Sequence, residues 1–196
     1  MIKKKYLNDF YYKKSKKLNL RSRSWFKIYE INNKFNLFKK YMNVIDLGSS
    51  PGGWSLFLSK YIKVNSIYAC DIIYMKSLYN VNFFKGDLNN INDYNNFINF
   101  IKHDKVNAVI SDMLSNTSGF KLIDNYNNIN FLNIAFKISL KKLLKGGFLI
   151  TKFLQNPNIN LFIKKISLYF NEIKIFKPNS SKSFSREFYI IAKNFL

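Results

Sequence analysis

Cysteine and histidine are nearly absent from this chain, which has one of each among its 196 residues. The lone Cys70 excludes an intrachain disulfide framework and any cysteine-based zinc cluster. The lone His103 argues against a histidine-dependent metal site or catalytic triad. We therefore expect no bound metal, and any catalytic chemistry must use Lys, Asp, Glu, Ser or Tyr side chains.

Long apolar runs are also lacking, since the longest ones fall well short of the roughly 18 residues that span a bilayer. A membrane partner is therefore not expected. The basic N-terminus has no continuous apolar stretch, which argues against a secretory signal but leaves an organellar transit peptide open. Hydrophobic residues still make up 47% of the chain, enough for one substantial core. We expect a monomeric cytoplasmic protein, or an organellar one if the host is eukaryotic.

Acidic residues are scarce, because 11 Asp and Glu stand against 32 Lys and Arg, for a net charge of +21. Such a charge favours a polyanionic partner such as nucleic acid, although a codon bias toward A+T would also enrich lysine. Arginine occurs only as Arg21, Arg23 and Arg186. A guanidinium grips phosphate with a planar fork that lysine cannot imitate. We expect these arginines, with Lys182, to contact a nucleic acid.

The first 23 residues form a basic arm in this interpretation, and residues 24–196 form one α/β domain. The arm interleaves lysines with aromatic residues, at Tyr6, Phe10, Tyr11 and Tyr12. Bases can stack on such aromatics while lysines meet phosphates, so the arm is predicted to bind nucleic acid. The same pattern also fits an amphipathic helix that docks on the domain, and the two interpretations are compatible.

Short β-rich runs alternate with longer runs of helical periodicity after the arm. Strands are predicted over residues 43–47, 66–70, 81–84, 106–111, 147–153, 172–176 and 188–192, and helices over 24–35, 54–61, 93–103, 128–144 and 160–169. This alternation is typical of a mostly parallel sheet. The last two strands lie too close for a helical crossover and should pair antiparallel. The predicted α/β fold is Rossmann-like, with a seven-stranded, mostly parallel sheet, an antiparallel edge hairpin and helices on both faces.

The segment DLGSSPGGW, residues 46–54, joins a predicted strand to a predicted helix. Gly48, Gly52 and Gly53 can take φ > 0 cheaply and let a ligand approach the main chain. A dinucleotide site requires the pattern GxGxxG, whereas Ser50 and Pro51 stand in the middle of this turn. The turn therefore favours S-adenosylmethionine over NAD, and an NAD-dependent reductase fails on this pattern.

Three acidic residues follow successive predicted strands: Asp46, Asp71 and Asp87. Ligands in open α/β sheets bind at the carboxyl ends of the strands, and an acid about 20 residues past the glycine turn typically binds ribose hydroxyls. Asp71 fits that role, and Asp87 could accept the exocyclic amine of an adenine. Each alone could be a helix cap or a solvated turn, but their joint placement predicts a nucleoside site.

A series of motifs spans nearly the whole chain from about residue 12. In order they are RSRSWFKIYEI, DLGSSPGGWS, ACD, GD, SDM followed by NTSG, KGG, TKF and SREFYI. In this order and spacing they resemble the FtsJ family of ribosomal RNA 2′-O-methyltransferases. Two departures from the family pattern affect loops, at Leu114-Ser115 after SDM and at Ser49-Ser50 in the glycine turn.

The resemblance implies a methyltransferase domain that uses S-adenosylmethionine to methylate large-subunit ribosomal RNA, with a uridine of the A-loop as target. It implies a catalytic tetrad of Lys27, Asp112, Lys152 and Glu187. The cofactor-binding residues that it implies are Gly52, Trp54, Asp71, Asp87 and Asp112.

The chemistry of the tetrad residues agrees with that reaction, because methylating a ribose hydroxyl requires a general base within hydrogen-bond reach. A lysine can serve only when desolvation or a nearby cation lowers its pKa. Lys152, inside an apolar strand, is the candidate base, and Lys27 is the neighbouring cation. Asp112 would hold Lys152, and Glu187 would tune the network.

Two alternatives remain at this point. A tRNA or mRNA-cap 2′-O-methyltransferase could share the tetrad, although the short chain lacks extra cap-binding elements. A non-catalytic RNA-binding or ribosome-assembly factor could use the same fold, although all four tetrad positions are intact.

Overall fold

One sheet of seven strands lies at the centre of the computed structural model, within the described residues 9–114, 120–156, 159–182 and 185–196. The strands are β1 (Asn43–Leu47), β2 (Ser66–Asp71), β3 (Val81–Lys85), β4 (Val106–Ser111), β5 (Leu143–Leu154), β6 (Phe170–Phe176) and β7 (Glu187–Phe195). The helices are α1 (Phe10–Lys17), α2 (Ser24–Phe35), α3 (Gly53–Leu56), α4 (Ile91–Phe100), α5 (Lys121–Lys142) and α6 (Ile159–Ile166), and α3 continues as a π-helical segment (Phe57–Ile62).

The strand order is β3-β2-β1-β4-β5-β7-β6. The first five strands of that order pair in parallel, whereas β7 pairs antiparallel with both β5 and β6. The predicted Rossmann-like fold, with its antiparallel hairpin at one edge, is confirmed. The parallel arrangement brings the carboxyl ends of β1 to β5 to the same edge of the sheet, where a ligand site is expected.

Helices cover both faces of the sheet, because side chains alternate in direction along each strand. Ile45 and Leu47 of β1 pack on one face against α4, α5 and α6. Val44, from the same strand, packs on the other face with α2 and α3. Strands buried on both sides are typical of parallel sheets, and the fold therefore has two hydrophobic cores.

Helix ends follow local chemistry. Asn90 caps α4 by accepting hydrogen bonds from the main-chain nitrogens of Asn92 and Asp93, and α2 ends where Asn36 takes a left-handed conformation. Asp9 caps α1 by accepting from the nitrogen of Tyr12. Helix α1 then packs on α2 through the rings of Tyr11 and Phe26, whose centroids are 5.2 Å apart.

Within the described part of the arm, Phe10–Lys17 thus form a helix that packs on the domain, as the docking interpretation expected, and residues 18–23 are not helical. Lys3 and Tyr6 lie outside the described residues. The division into an arm over 1–23 and a domain over 24–196 stays a prediction, as does RNA binding by the arm.

Several element boundaries shift by a few residues from the sequence-based prediction, among them the ends of α4 at Phe100 and of β7 at Phe195, and three further differences are informative. Strand β5 begins at Leu143, not at residue 147, because Leu143 pairs with Val106 and a register shift then admits Gly146 with φ of +81°. Helix α5 begins at Lys121 and not at residue 128. The sequence did not predict the earlier start because the Asn-rich first turns carry little apolar periodicity. The helix after the glycine turn changes to π-helical geometry at Phe57, which periodicity does not show.

None of the helices in the described ranges combines the length and hydrophobicity that crossing a membrane requires. Within the same ranges, no cluster of His, Cys, Asp and Glu side chains is suited to hold a metal ion.

Candidate active site

A cavity of about 480 Å³ opens at the carboxyl edge of the sheet. Its walls come from the ends of β1 to β5 and from α5. Among the predicted site residues, the cavity is lined by Gly48, Ser50, Asp71, Asp87, Asp112 and Lys152. Its size is typical of a site for a small molecule or cofactor.

Asp71 and Asp87 are held in place by the main chain. One oxygen of Asp71 accepts a hydrogen bond from the nitrogen of Ser50 at 2.8 Å, and the other accepts from the nitrogen of Ile73 at 2.8 Å. Asp87 accepts from both the main-chain and side-chain nitrogens of Asn89. Each carboxylate oxygen can accept further hydrogen bonds. Both side chains line the cavity, so they can meet hydroxyl and amino groups of a ligand.

The three glycines of the turn each leave space for a different neighbouring group. Gly48 lines the cavity with φ of +72°, and a Cβ there would lie 2.8 Å from the main-chain nitrogen of Met113. A Cβ on Gly52 would lie 2.7 Å from Nη1 of Arg21, and one on Gly53 would collide with the hydroxyl of Ser22. At Gly52 and Gly53 the absence of a Cβ leaves room for the protein's own side chains, and the approach of a ligand to their main chain stays a prediction.

Pro51 and Trp54 also lie away from the cavity wall in the described structure. The indole nitrogen of Trp54 donates to the carbonyl of Ser24 at 3.0 Å. Its ring packs against that of Tyr189, with centroids 5.7 Å apart. Trp54 is therefore a buried link between the glycine turn, α2 and β7, and its contact with a cofactor stays a prediction.

Asp46 is fully buried beneath the turn and does not line the cavity. Its Oδ2 accepts a hydrogen bond from the hydroxyl of Ser55 at 2.6 Å. Among the described residues, none donates to Oδ1. Burial raises the pKa of Asp46 to about 7, against the opposing hydrogen bond from Ser55 and with help from the negative charges of Asp112 and Asp71.

The four predicted tetrad residues come together as two ion pairs. The ammonium nitrogen of Lys152 lies 3.1 Å from Oδ1 of Asp112 and donates to the Asp112 carbonyl at 2.6 Å. That of Lys27 donates to Oε2 of Glu187 at 3.0 Å. Both lysines are buried. Strand pairing brings three of the four together, because β5, which carries Lys152, lies between β4, which precedes Asp112, and β7, which begins at Glu187. Lys27 comes from α2.

Both tetrad acids are tuned toward the ionised form. Burial alone would raise the pKa of Asp112, but the positive charges of Lys152 and Lys27 outweigh burial and lower it. Burial acts in the same way on Glu187, and Lys27 with Lys152 again lowers the pKa below its usual range. Each lysine acts on both acids, so the two pairs form one electrostatic unit.

Tyr189 is a site residue that the sequence reasoning missed. Its buried hydroxyl donates to Oδ1 of Asp112 at 2.7 Å, and its ring centroid lies 5.8 Å from the nitrogen of Lys27. Burial raises its pKa well above the usual value, and the charge of Asp112 adds to the effect. The period of two in a strand places residues 187 and 189 on the same face, which is the signal that could have found it. Phe131, which reaches the cavity from α5, left no such signal.

The predicted RNA-binding residues differ in their surroundings. The guanidinium of Arg21 donates to main-chain carbonyls, and that of Arg23 pairs with Asp9 and donates to the carbonyl of Ser180. Arg186 is exposed and Lys182 is half-buried. Contacts within the protein therefore explain why arginine is used at positions 21 and 23. Contact of all four side chains with RNA stays a prediction.

The fold and the cavity together define a class. A parallel sheet with an antiparallel last pair, a glycine turn after β1 and acids after β2 and β3 are the features of a Rossmann-like methyltransferase that uses S-adenosylmethionine. The cavity fits this cofactor, because its acidic lining of Asp71, Asp87 and Asp112 complements a sulfonium and a ribose in a chain of net charge +21.

The chain belongs to the FtsJ-like methyltransferase family, whose sequence model matches residues 20–195. The family resemblance of the motifs is thereby confirmed, and the protein is an RNA methyltransferase enzyme. A relative from Buchnera aphidicola subsp. Cinara cedri, named ribosomal RNA large subunit methyltransferase E, is 45% identical over 96% of this chain and 91% of its own length. One of the same name from Francisella tularensis subsp. novicida is 39% identical over 96% and 92%.

A solved structure shows the same fold. It is described as a ribosomal RNA methyltransferase from Plasmodium falciparum and superimposes with a TM-score of 0.76 at 26% sequence identity, covering 90% of this chain and 98% of its own.

Proposed function

We propose that this enzyme transfers the methyl group of S-adenosylmethionine to a ribose 2′-hydroxyl of large-subunit ribosomal RNA, at a uridine of the A-loop. The observation that carries the proposal is the convergence of two lysines and two ionised acids beside the cofactor cavity. Lys152 and Asp112 line that cavity themselves. An acceptor hydroxyl placed in this cavity would have the Lys152 side chain among the groups around it.

Lys152 acts as the general base in this proposal. When bound, S-adenosylmethionine supplies an electron-poor methyl group on a sulfonium. The amine of Lys152, once it has released its own ammonium proton to solvent, would accept the hydroxyl proton as the methyl group is transferred to the ribose oxygen. Asp112 fixes the position of Lys152 through its side chain and its carbonyl. The lowered pKa values of Asp112 and Glu187 make both carboxylates weak bases, so they compete poorly with a lysine amine for the ribose proton.

Lys27 and Glu187 orient the acceptor. Their ion pair is 3.0 Å long and only partly exposed, so it holds the Lys27 ammonium at the site. A cation there can contact the phosphate or ribose of the target nucleotide. It also places a second positive charge near Lys152, since both lysines act on the same two acids.

Ribosomal RNA is the proposed substrate for two reasons. The two relatives that match nearly the whole chain are named as large-subunit ribosomal RNA methyltransferases. The net charge of +21 favours a nucleic-acid surface. The proposal places the enzyme, as a monomer, where ribosomes assemble in the cytoplasm.

Methyl transfer from labelled S-adenosylmethionine tests the substrate. The native protein is incubated with naked ribosomal RNA, isolated large subunits and tRNA, and the labelled RNA is digested to nucleosides. We expect 2′-O-methyluridine from ribosomal RNA or large subunits, at one A-loop position. Label in tRNA, or on a base instead of a ribose, would contradict the proposed substrate. No transfer to any RNA would favour an RNA-binding assembly factor.

A further inference from the structure

Arg21 joins the two chain segments that form one side of the cofactor cavity. Its guanidinium donates to the carbonyl of Lys76 at 2.5 Å, to that of Ser77 at 2.7 Å and to that of Pro51 at 3.4 Å. Pro51 belongs to the glycine turn. Lys76 and Ser77 belong to residues 72–79, the connection that follows β2.

Both segments contribute directly to the cavity. In the glycine turn, Ser50 lines the cavity and its nitrogen donates to Asp71. In the connection after β2, Ile72 and Ile73 line the cavity. Arg21 itself does not line the cavity, so it acts on these walls only through the main chain to which it is bonded.

Little apolar burial holds the connection after β2 in place. Ile72, Ile73, Tyr74 and Tyr79 are all more than 60% exposed, whereas Met75 is buried. Segments with few buried side chains depend on their hydrogen bonds for a defined position. The bonds from Arg21 to Lys76 and Ser77 are therefore a main source of order in this wall.

Only arginine fits this position. Two nitrogens of one planar group reach two consecutive carbonyls, a geometry that a lysine ammonium cannot reproduce. Gly52 is matched to the same contact, because a Cβ there would lie 2.7 Å from Nη1 of Arg21 and 2.8 Å from Sδ of Met75. Arg21 thus occupies a position that requires the two parallel N–H donors of a guanidinium.

We propose that Arg21 is a positioning residue for S-adenosylmethionine, which sets the distance between the glycine turn and the connection after β2. The inference rests on the assignment of this cavity to the methyl donor. It gives Arg21 a function in cofactor affinity that is independent of any contact with RNA.

Calorimetric binding of S-adenosylhomocysteine to full-length Arg21→Lys and Arg21→Gln tests the inference. We expect roughly tenfold weaker binding in both, because lysine keeps the charge but loses one of the two consecutive bonds. Lys102→Gln, at an exposed position away from the cavity, is the charge-matched control and should bind as the native protein does. The KM for S-adenosylmethionine should rise by a similar factor in Arg21→Lys, while kcat at saturation stays within about twofold of native.

The outcomes separate the possible roles of Arg21. A native dissociation constant in Arg21→Lys would overturn the inference, and would favour RNA binding if Arg21→Gln alone weakened RNA affinity. A lower kcat and thermal midpoint in Arg21→Lys with unchanged affinity would show a purely structural role, and would also overturn it. Failure of the native protein to bind S-adenosylhomocysteine would contradict the assignment of the cavity itself.

Discussion

Asp46 lies near the end of β1 and Asp112 directly follows the neighbouring strand β4, yet their surroundings move their pKa values in opposite directions. Burial dominates at Asp46 and raises its pKa to about 7, since among the described residues only Ser55 donates to one of its oxygens and none donates to the other. At Asp112 two lysines and Tyr189 outweigh burial and lower the pKa. Two identical side chains therefore serve different purposes: Asp46 supports the turn as a neutral acid below about pH 7, and Asp112 holds Lys152 as an anion.

Asp46 makes the stability of the fold depend on pH. Its carboxyl stays protonated to about pH 7 in the native state but ionises near 3.8 in the unfolded chain. The stabilising contribution of the Asp46 carboxyl is thus complete below about pH 4 and is lost as the pH rises to about 7. The free energy of unfolding falls by about 4 kcal/mol over that interval. We predict that Asp46→Asn gains stability relative to the native protein between pH 5 and pH 8, measured by urea unfolding.

The matched control for this experiment is Asp104→Asn, an exposed aspartate. Its stability relative to the native protein should change little over the same pH interval. A constant difference between Asp46→Asn and the native protein at both pH values would show that Asp46 is ionised in the fold.

At the scale of elements, the order of strands and helices could be predicted because each has a clear pattern. Two strands, β1 and β4, match the predicted ranges in full, since both are short apolar runs bounded by polar residues. The start of β5 could not be predicted, because the pair Gly146 and Gly147 indicates a turn while pairing with β4 extends the strand across it.

The site was predictable in part for the same reason. Motif spacing brought Lys27, Asp112, Lys152 and Glu187 into one hypothesis, and the structure places them in contact as two pairs. The hydrogen bonds from Arg21 to Pro51, Lys76 and Ser77 join residues that lie 30 to 56 positions apart in the sequence. No local sequence pattern could therefore indicate them.

Helix α1 depends on tertiary contacts, because eight residues are too few for a stable isolated helix. Arg23 fastens it through Asp9, its N-cap, and through the carbonyl of Ser180. We predict that Arg23→Gln exposes the amides of α1 to hydrogen exchange while the amides of β1 stay protected. Exposed Arg186→Gln is the control and should leave α1 protected. Native protection of α1 in Arg23→Gln would show that Tyr11 packing alone holds the helix.

At the scale of the whole molecule, charge is divided between surface and cavity. The chain has a net charge of +21, yet three of its 11 acidic residues line the cavity. The surface is therefore suited to RNA and the cavity to a cationic methyl donor. The two affinities should respond differently to salt, because only the phosphate contacts release counterions.

We predict that affinity for ribosomal RNA fragments falls at least about tenfold between about 50 and about 200 mM salt, as seen in filter binding. S-adenosylhomocysteine affinity should change far less over that interval. Replacing both Lys182 and Arg186 by Gln should reduce the slope of log K against log salt by about 2 if each contacts one phosphate. An unchanged slope in the double variant would place the RNA elsewhere on the protein.

Single-turnover methyl transfer to large-subunit ribosomal RNA measures whether Lys152 removes the ribose proton. We predict that the native protein labels a ribose 2′-oxygen and that Lys152→Ala is about 10² to 10⁴-fold slower. Lys152→Ala should still bind S-adenosylhomocysteine, and Lys141→Ala, at an exposed position on α5, should keep the native rate. A native rate in Lys152→Ala would show that Lys152 does not remove the ribose proton.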